Sequence, residues 1–324
     1  MASNEELTPS HLSPSELGTK EYWESFYERS LSHLSSKNKP PQNPSTQQNS
    51  TKDTNADEDE ADDDDDDDAS SSDDDGDLDS DPGTSWFTEH NAPQKVLDFL
   101  TSEKFPLSPT NNPPNEPTIL DLGTGNGSML ALLREEGGFG GVMVGVDYSA
   151  KSVELARRLY PSSASPAADR GGGDEGGLGI RFEEWDILGV KKEDFTAQGM
   201  PEWFPAAESG FDIVLDKGTF DAVSLCEEEE EDGKVIRRRV CERYPGVAKL
   251  LVKNGGYLVV TSCNWTEEEL VRWFTRVEDG EGGDGDRLVV WGRVEYPKFR
   301  FGGQEGQGVC TEGGIGSSVG WGAD

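Results

Sequence analysis

Short apolar runs alternate with amphipathic segments along the chain from about residue 83 onward. Several runs, GVMVGVD among them, are apolar almost without interruption, which is typical of strands covered on both faces of a parallel sheet. The segments between them carry apolar residues at helical spacing, as at Val153, Ala156 and Leu159. The predicted strands cover residues 118–122, 141–147, 180–186, 211–216, 256–262 and 288–294, and the predicted helices cover residues 86–100, 128–136, 150–160, 237–251 and 266–277.

Two of the helix starts carry capping residues. Ser149 precedes the helix at 150–160, and Thr266 with Glu269 forms the S/T-x-x-E pattern of a capping box. Strands that alternate with helices in this way predict an α/β fold, with a mostly parallel sheet, helices on both faces and ligands at the carboxyl ends of the strands.

The chain divides into four parts by composition. Residues 1–37 contain an aromatic, helix-like segment, and residues 38–82 are rich in polar residues and then in Asp, which predicts a disordered insertion. Residues 83–310 hold the predicted core, and residues 311–324 form a Gly-rich tail. The C-terminal residues lack the apolar pattern of a strand, so the sequence does not identify the last strand of the sheet.

Charge and histidine content exclude several kinds of function. The net charge is −36, and residues 53–81 alone hold 18 acids with no Lys or Arg. Such a balance argues against direct nucleic-acid binding, which needs clustered cations. The three histidines, His11, His33 and His90, all precede the first predicted strand of the core. A His-based triad or metal site in the core is therefore not expected.

The sequence carries no pattern for export or membrane insertion. It has no cationic start followed by an apolar stretch, and no apolar run is long enough to span a bilayer. The four cysteines are far apart in sequence, which favours reduced thiols. A cytoplasmic protein without membrane contact is expected, and nothing in the sequence requires more than a monomer.

A glycine-rich turn follows the first predicted strand. Residues 119–127 read ILDLGTGNG, with three glycines between the strand and the next helix. Glycine allows unusual dihedrals and lets a ligand approach the backbone closely. Asp147 lies 20 residues after Gly127, where an acid accepts hydrogen bonds from ribose hydroxyls, and Asp186 ends the third strand. Together these residues predict a nucleoside-binding site.

The spacing of the glycines favours S-adenosylmethionine over a dinucleotide. Dinucleotide folds use G-x-G-x-x-G around a pyrophosphate, whereas this turn reads G-x-G-x-G. Asp121 adds a negative charge that is unfavourable beside pyrophosphate but suits the ammonium and sulfonium of S-adenosylmethionine. An NAD-dependent oxidoreductase remains a rival interpretation that this spacing disfavours.

Six sequence blocks resemble one family of methyltransferases. DKGTFDA, TSCNWT and an N-terminal TKEYW occur together in blocks at residues 17–31, 119–130, 145–156, 211–225, 255–270 and 294–307. The chain is similar to the protein-lysine N-methyltransferases that act on translation elongation factor 1-alpha, within the seven-stranded methyltransferase superfamily. The resemblance implies a Rossmann-like seven-stranded sheet, S-adenosylmethionine as methyl donor, a lysine of elongation factor 1-alpha as acceptor and a cytoplasmic location.

The resemblance also assigns roles to individual residues at the ends of the strands and in the TKEYW segment. The cofactor residues are Asp121, Gly123 and Gly125 around the methionine moiety, Asp147 at the ribose, Asp186 at the adenine amino group, and Trp23, which closes the pocket. Tyr148, next to Asp147, is also expected to bind the cofactor.

Three residues are expected to act on the acceptor. Asp216, at the end of the fourth predicted strand, would face the transferring methyl and orient the amine, while Asn264 and the adjacent Trp265 would shape its channel. Methyl transfer to a neutral amine needs little acid–base machinery, so a core without histidine is compatible with this reaction.

Other functions remain open at this level. The fold could have lost turnover and serve as a non-catalytic S-adenosylmethionine-fold binding module that uses its acidic tract for interaction. A small-molecule or nucleic-acid methyltransferase is a further alternative, and the absence of a basic groove disfavours nucleic acid.

Overall fold

The computed structural model describes residues 11–37, 89–111, 113, 115–161, 178–190, 195, 199–205, 209–231, 234–276, 287–301, 304–307 and 309–317. The predicted disordered insertion at 38–82 lies outside the described residues. So do the first residues of the helix predicted at 86–100.

Helices and strands follow one another largely as the apolar pattern predicts. The helices are α1 (Lys20–Lys37), α2 (Ala92–Thr101), α3 (Ser128–Glu135), α4 (Ala150–Leu159), α5 (Thr219–Ser224), α6 (Tyr244–Leu250) and α7 (Glu267–Thr275). The strands are β1 (Ile119–Leu122), β2 (Met143–Asp147), β3 (Ile180–Glu184), β4 (Phe211–Lys217), β5 (Glu228–Glu231), β6 (Lys234–Arg239), β7 (Val252–Ser262), β8 (Arg287–Val294), β9 (Lys298–Phe301), β10 (Gln304–Gln307) and β11 (Cys310–Ser317).

Seven of the strands form one sheet in the order β3-β2-β1-β4-β7-β11-β8. The first five in that order run parallel to their neighbours, and β11 runs antiparallel to both β7 and β8. The chain progresses outward in one direction from β1 and in the other from β4, so the strand order reverses between these two strands. Ligands of open α/β sheets bind at such a reversal, beyond the carboxyl ends of the strands.

Alternate residues of the strands face two separate hydrophobic clusters. Ile119 and Ile213 pack with residues of α2, α3 and α4, whereas Leu120 and Val214 pack with residues of α5, α6 and α7. Because successive strand side chains point to opposite faces, β1, β2, β4 and β7 each contribute to both clusters. The predicted α/β fold, mostly parallel and covered by helices on both faces, is confirmed.

Both predicted caps are present. The Ser149 hydroxyl accepts a hydrogen bond from the Ser152 amide at the start of α4. At the start of α7, Thr266 and Glu269 exchange the reciprocal hydrogen bonds of a capping box. These contacts satisfy amides that a helix start otherwise leaves without partners.

The seventh strand is made by residues that the sequence pattern placed in the tail. Gly313 of β11 lies opposite Gly292 of β8. A Cβ at Gly313 would lie 3.2 Å from the Phe99 ring, and one at Gly292 would lie 3.3 Å from it. The aromatic ring of α2 therefore covers two facing glycines, and it supplies the apolar surface that the strand's own sequence lacks.

The helix predicted over residues 237–251 is wrong in its first half. Residues up to Arg239 belong to β6, which pairs with β5 in an antiparallel hairpin, and α6 begins only at Tyr244. The hairpin register sets Glu228 opposite Arg239 and Glu231 opposite Lys234.

Candidate functional site

A cavity of about 220 Å³ lies at the carboxyl ends of the central strands. Its wall combines the glycine turn, the ends of β2 and β4, the loops after β3 and β7, and the N-terminal segment. The polar and aromatic residues that line it include Trp23, Tyr27, Asn126, Asp147, Tyr148, Trp185, Asp186, Lys217, Thr219, Asp221, Cys226, Cys263 and Asn264.

The glycine turn requires glycine for steric reasons as well as for its dihedrals. Gly123 and Gly125 have φ values of 59° and 58°, in the left-handed region that other residues rarely adopt. A Cβ at Gly123 would lie 2.2 Å from the Thr219 hydroxyl, and one at Gly125 would lie 2.9 Å from the Tyr27 hydroxyl. The turn thus brings bare backbone to the cavity surface, as the sequence pattern predicts.

Asp147 is held at the end of β2 by backbone amides. Its carboxylate accepts hydrogen bonds from the amides of Gly125, at 3.1 Å, and Ser149, at 2.9 Å. Burial raises the pKa of Asp147, and these donors act in the opposite direction. The Asp147 side chain is therefore fixed in orientation where it meets the cavity.

Asp186 and Trp185 form the part of the wall beyond β3. One carboxylate oxygen of Asp186 accepts a hydrogen bond from the Leu188 amide at 2.9 Å. The Trp185 ring packs edge-on against Trp203 with the ring centroids 5.3 Å apart. An acceptor beside an aromatic ring suits a planar heterocycle with an amino group.

The N-terminal segment crosses the cavity and is attached to the core on several sides. The Ser15 amide donates to the Leu225 carbonyl at 3.1 Å, and the Cys226 thiol donates to the Gly18 carbonyl at 3.0 Å. Trp23 donates its indole N–H to the Leu17 carbonyl at 2.8 Å and stacks on Tyr27. These contacts keep both aromatic rings of α1 in the cavity wall.

Seven of the nine residues predicted for the site line this cavity. They are Trp23, Gly123, Gly125, Asp147, Tyr148, Asp186 and Asn264. The two others, Asp121 and Asp216, are buried behind the wall, with exposures of 2% and 1%. The position of Asp216 is therefore not the one expected of a residue that faces the transferring methyl.

Both buried carboxylates are bound by groups of the protein. Asp216 accepts hydrogen bonds from the Thr219 and Phe220 amides and, at 2.7 Å, from the Tyr244 hydroxyl, while Asp121 accepts one from the Thr124 hydroxyl at 2.8 Å. Burial raises the pKa of Asp216 to about 7 and that of Asp121 to about 6. These carboxylates thus hold the two turns that form the cavity floor.

Several cavity residues were not predicted for the site from the sequence, among them Tyr27, Lys217 and Asp221. Tyr27 lies one helical turn beyond Trp23, a spacing that places both on the same face of α1. Lys217 and Asp221 belong to the DKGTFDA block, whose pattern could have indicated them. Burial lowers the pKa of Lys217, whereas Asp121 and Asp216 raise it.

Trp265 contributes to the core and does not line the cavity. Its ring stacks on Phe220 with the centroids 5.8 Å apart, and it is 5% exposed. Trp265 therefore packs beneath the loop after β7 as a core residue. The expectation that it shapes the acceptor channel is wrong.

Metal and membrane sites were searched for over the described parts of the chain. Within those residues, no group of three His, Cys, Asp or Glu side chains is arranged to hold a metal ion. None of the helices described there has the length and apolar character that crossing a membrane requires.

Comparison with known proteins gives consistent matches over most of the chain. A family profile described as a methyltransferase domain matches residues 115–289. The protein-lysine N-methyltransferase EFM4 of Saccharomyces cerevisiae is 31% identical over 93% of this chain and 94% of its own length. The protein-lysine N-methyltransferase efm4 of Schizosaccharomyces pombe is 30% identical over 93% and 94%, and the human EEF1A lysine methyltransferase 2 is 26% identical over 92% and 86%.

Proposed function

The chain belongs to the family of protein-lysine methyltransferases with a methyltransferase domain, and we propose that it methylates a lysine of translation elongation factor 1-alpha with S-adenosylmethionine as methyl donor. The names of its yeast and human relatives support this activity and this substrate. The observation that carries the proposal is a cavity at the strand-order reversal, walled by Asp147, Asp186 and the bare glycine turn.

The residues of the cavity fit S-adenosylmethionine by their chemistry. Asp147 would accept hydrogen bonds from the ribose hydroxyls, and Asp186 with Trp185 would hold the adenine. The backbone at Gly123 and Gly125 would face the methionine part, where a side chain would clash with Thr219 or Tyr27. When bound, the cofactor supplies a methyl group activated by a positively charged sulfur.

The residues of this chain would contribute mainly position and exclusion of water. Trp23 and Tyr27 close the cavity from the N-terminal side, and Asn264 stands at its edge after β7. Asp216 acts as a positioning residue, because its hydrogen bonds hold the turn that presents Lys217 and Thr219 to the cavity. Alignment of this kind can supply much of the rate of a displacement reaction.

The wider biological setting is part of the same proposal. We assign residues 1–37 to closing the pocket, residues 38–82 to an insertion and residues from 83 onward to the methyltransferase domain. That domain runs to at least Ser317, since β11 belongs to the sheet. We further propose that the protein works in the cytoplasm as a monomer. We also propose that it does not bind nucleic acid directly, because its net charge of −36 opposes binding to phosphates.

The first test is calorimetric titration of the whole chain with S-adenosylmethionine, S-adenosylhomocysteine and NADH, repeated on Asp147→Ala. We expect micromolar binding of the first two ligands, none of NADH, and at least tenfold weaker binding by the variant. A labelled-methyl assay on purified elongation factor 1-alpha then tests the substrate. Cofactor binding without labelling would favour the non-catalytic binding module, and absence of binding by folded protein would contradict the proposal.

A further inference from the structure

Asp221 is a buried carboxylate that reaches the cavity from the side of β4 and β7. It lies in the first turn of α5, is 5% exposed, and lines the cavity together with Cys263 and Asn264. Asp147, in contrast, ends β2. In the sheet β2 and β7 are separated by β1 and β4, a distance of about 14 Å at the usual strand spacing. The cavity thus has carboxylates at two separate ends.

Of the hydrogen-bond donors to the Asp221 carboxylate, one is weak. Its oxygens accept from the Ser262 hydroxyl, from the Cys263 amide at 2.9 Å and from the Cys263 thiol at 3.4 Å. A thiol is a weak donor, and Cys263 is exposed. An ammonium group entering the cavity could replace the thiol, while the stronger donors keep the carboxylate in place.

We propose that Asp221 is the residue that receives the acceptor lysine, binding its ammonium group and removing the proton that blocks methyl transfer. This inference rests on the proposed function and adds to it the base of the reaction. The proton passes from lysine Nζ to the carboxylate, which leaves a neutral amine and a neutral carboxylic acid. The amine lone pair then forms the N–C bond while the C–S bond breaks and its electron pair stays on sulfur.

The surroundings of Asp221 favour proton uptake. Asp216 on β4 and Cys310 on β11 interact electrostatically with Asp221, Cys263 after β7 donates hydrogen bonds to it, and Lys217 is a further titratable group of the same cavity wall. Burial is the largest cause that raises the pKa of Asp221, and its hydrogen-bond donors act against that rise. A carboxylate with a raised pKa is the stronger base.

The test compares wild-type protein with Asp221→Asn, using Glu268→Gln, at an exposed glutamate of α7, as the control. At pH 7.5 we expect Asp221→Asn to lower kcat/KM on elongation factor 1-alpha by about 100-fold or more, the range of general-base catalysis. Binding of S-adenosylhomocysteine by Asp221→Asn should stay within about threefold, because the asparagine oxygen can still accept the Cys263 amide hydrogen bond. Glu268→Gln should keep its activity within about threefold, because its side chain is exposed and does not line the cavity.

The pH profile separates a base from a structural residue. At pH 9.5 a larger share of lysine is already neutral, so the deficit of Asp221→Asn should shrink by about tenfold or more. A deficit below threefold, or one that is equal at both pH values, would overturn the inference. If Asp221→Asn loses S-adenosylhomocysteine binding, Asp221→Glu takes its place, and it must then retain at least tenfold more activity than Asp221→Ala.

A second readout does not depend on the protein substrate. Protein saturated with S-adenosylhomocysteine is titrated with n-butylammonium, a mimic of the lysine side chain, and we expect binding by wild type that Asp221→Asn lacks. If butylammonium binding depends on Asp221 but elongation factor 1-alpha is not methylated, Asp221 is an amine-binding residue and the proposed protein substrate is wrong. Equal binding by both proteins would overturn the assignment of Asp221.

Discussion

Tyr244 donates its hydroxyl to Asp216 across 2.7 Å, and neither side chain is more than 1% exposed. The bond joins the end of β4 to the start of α6. Asp216 in turn accepts the Thr219 and Phe220 amides at the start of α5. One buried carboxylate thus connects β4, α5 and α6 beneath the cavity. Loss of these hydrogen bonds should therefore lower the free energy of unfolding more than it lowers cofactor affinity.

The variant Tyr244→Phe tests this role. It leaves one oxygen of Asp216 without its donor, and an unsatisfied buried acceptor costs about 1–3 kcal/mol. We expect the free energy of unfolding in urea to fall by that amount, while S-adenosylhomocysteine affinity changes less than about threefold. Tyr160→Phe, at a partly buried tyrosine of the α4 end, is the control. A large loss of affinity without a loss of stability would contradict a positioning role.

The contact between Gly125 and Tyr27 can be tested by a double-mutant cycle. Gly125→Ala puts a methyl about 2.9 Å from the Tyr27 hydroxyl and forces alanine to φ 58°. The left-handed conformation alone costs about 1–2 kcal/mol. We expect weaker cofactor binding and lower stability, and Tyr27→Phe in the same chain should restore part of both. Strictly additive effects would show that the two residues do not meet.

Closure of the cavity by α1 gives a further prediction. Trp23→Ala removes the stacking on Tyr27 and the hydrogen bond to the Leu17 carbonyl. We expect cofactor affinity to drop by about tenfold or more, since each of those contacts contributes about 1 kcal/mol. Leu34→Ala, further along α1, should lower the melting temperature but leave the affinity unchanged. Equal loss of affinity in both variants would mean that α1 acts only through general stability.

Glu312 of β11 makes the stability of the fold depend on pH. It is 7% exposed, and burial together with Glu267 raises its pKa to about 7, while Arg293 opposes the rise. The folded protein therefore binds more protons than the unfolded chain between the ordinary pKa of a glutamate, about 4.3, and pH 7. Stability from this residue is highest at low pH and decreases up to about pH 7.

Substitution by glutamine should remove that dependence. Glu312→Gln is expected to raise the free energy of unfolding at pH 8 and to leave it nearly unchanged at pH 4.5, measured by urea titration at both values. Glu154→Gln, on α4, is a control at a surface glutamate. If the difference in unfolding free energy between Glu312→Gln and wild type is the same at pH 4.5 and pH 8, Glu312 is not the source of the pH dependence.

The sequence pattern predicted those parts of the site whose geometry is local. The glycine turn and Asp147 lie within two neighbouring strand–turn–helix units, where spacing determines position. Asp216 is also at a strand end, yet the adjacent amides of Thr219 and Phe220 and the distant Tyr244 draw it into the core. Sequence spacing locates the end of a strand but does not tell which way its last side chain turns.

The fold shows the same limit in β11. A strand is recognised by its own apolar residues, but the apolar cover over Gly313 is the ring of Phe99, more than 200 positions earlier in the chain. The hairpin of β5 and β6 was missed because a run of glutamates followed by arginines has no apolar period. The cover of β11 lies far away in the sequence, whereas the hairpin is local and lacks only the apolar pattern by which a strand is recognised.

The place of β11 between β7 and β8 also sets an order for folding during synthesis. The ribosome makes β8 before β11, but in the sheet β8 pairs with β11. The strands from β3 to β7 can assemble while the rest is being made, whereas β8 must wait, with its edge unpaired, until residues 310–317 have left the exit tunnel. A nascent chain stalled before that point would expose two open strand edges, the situation in which chaperones usually engage a growing polypeptide.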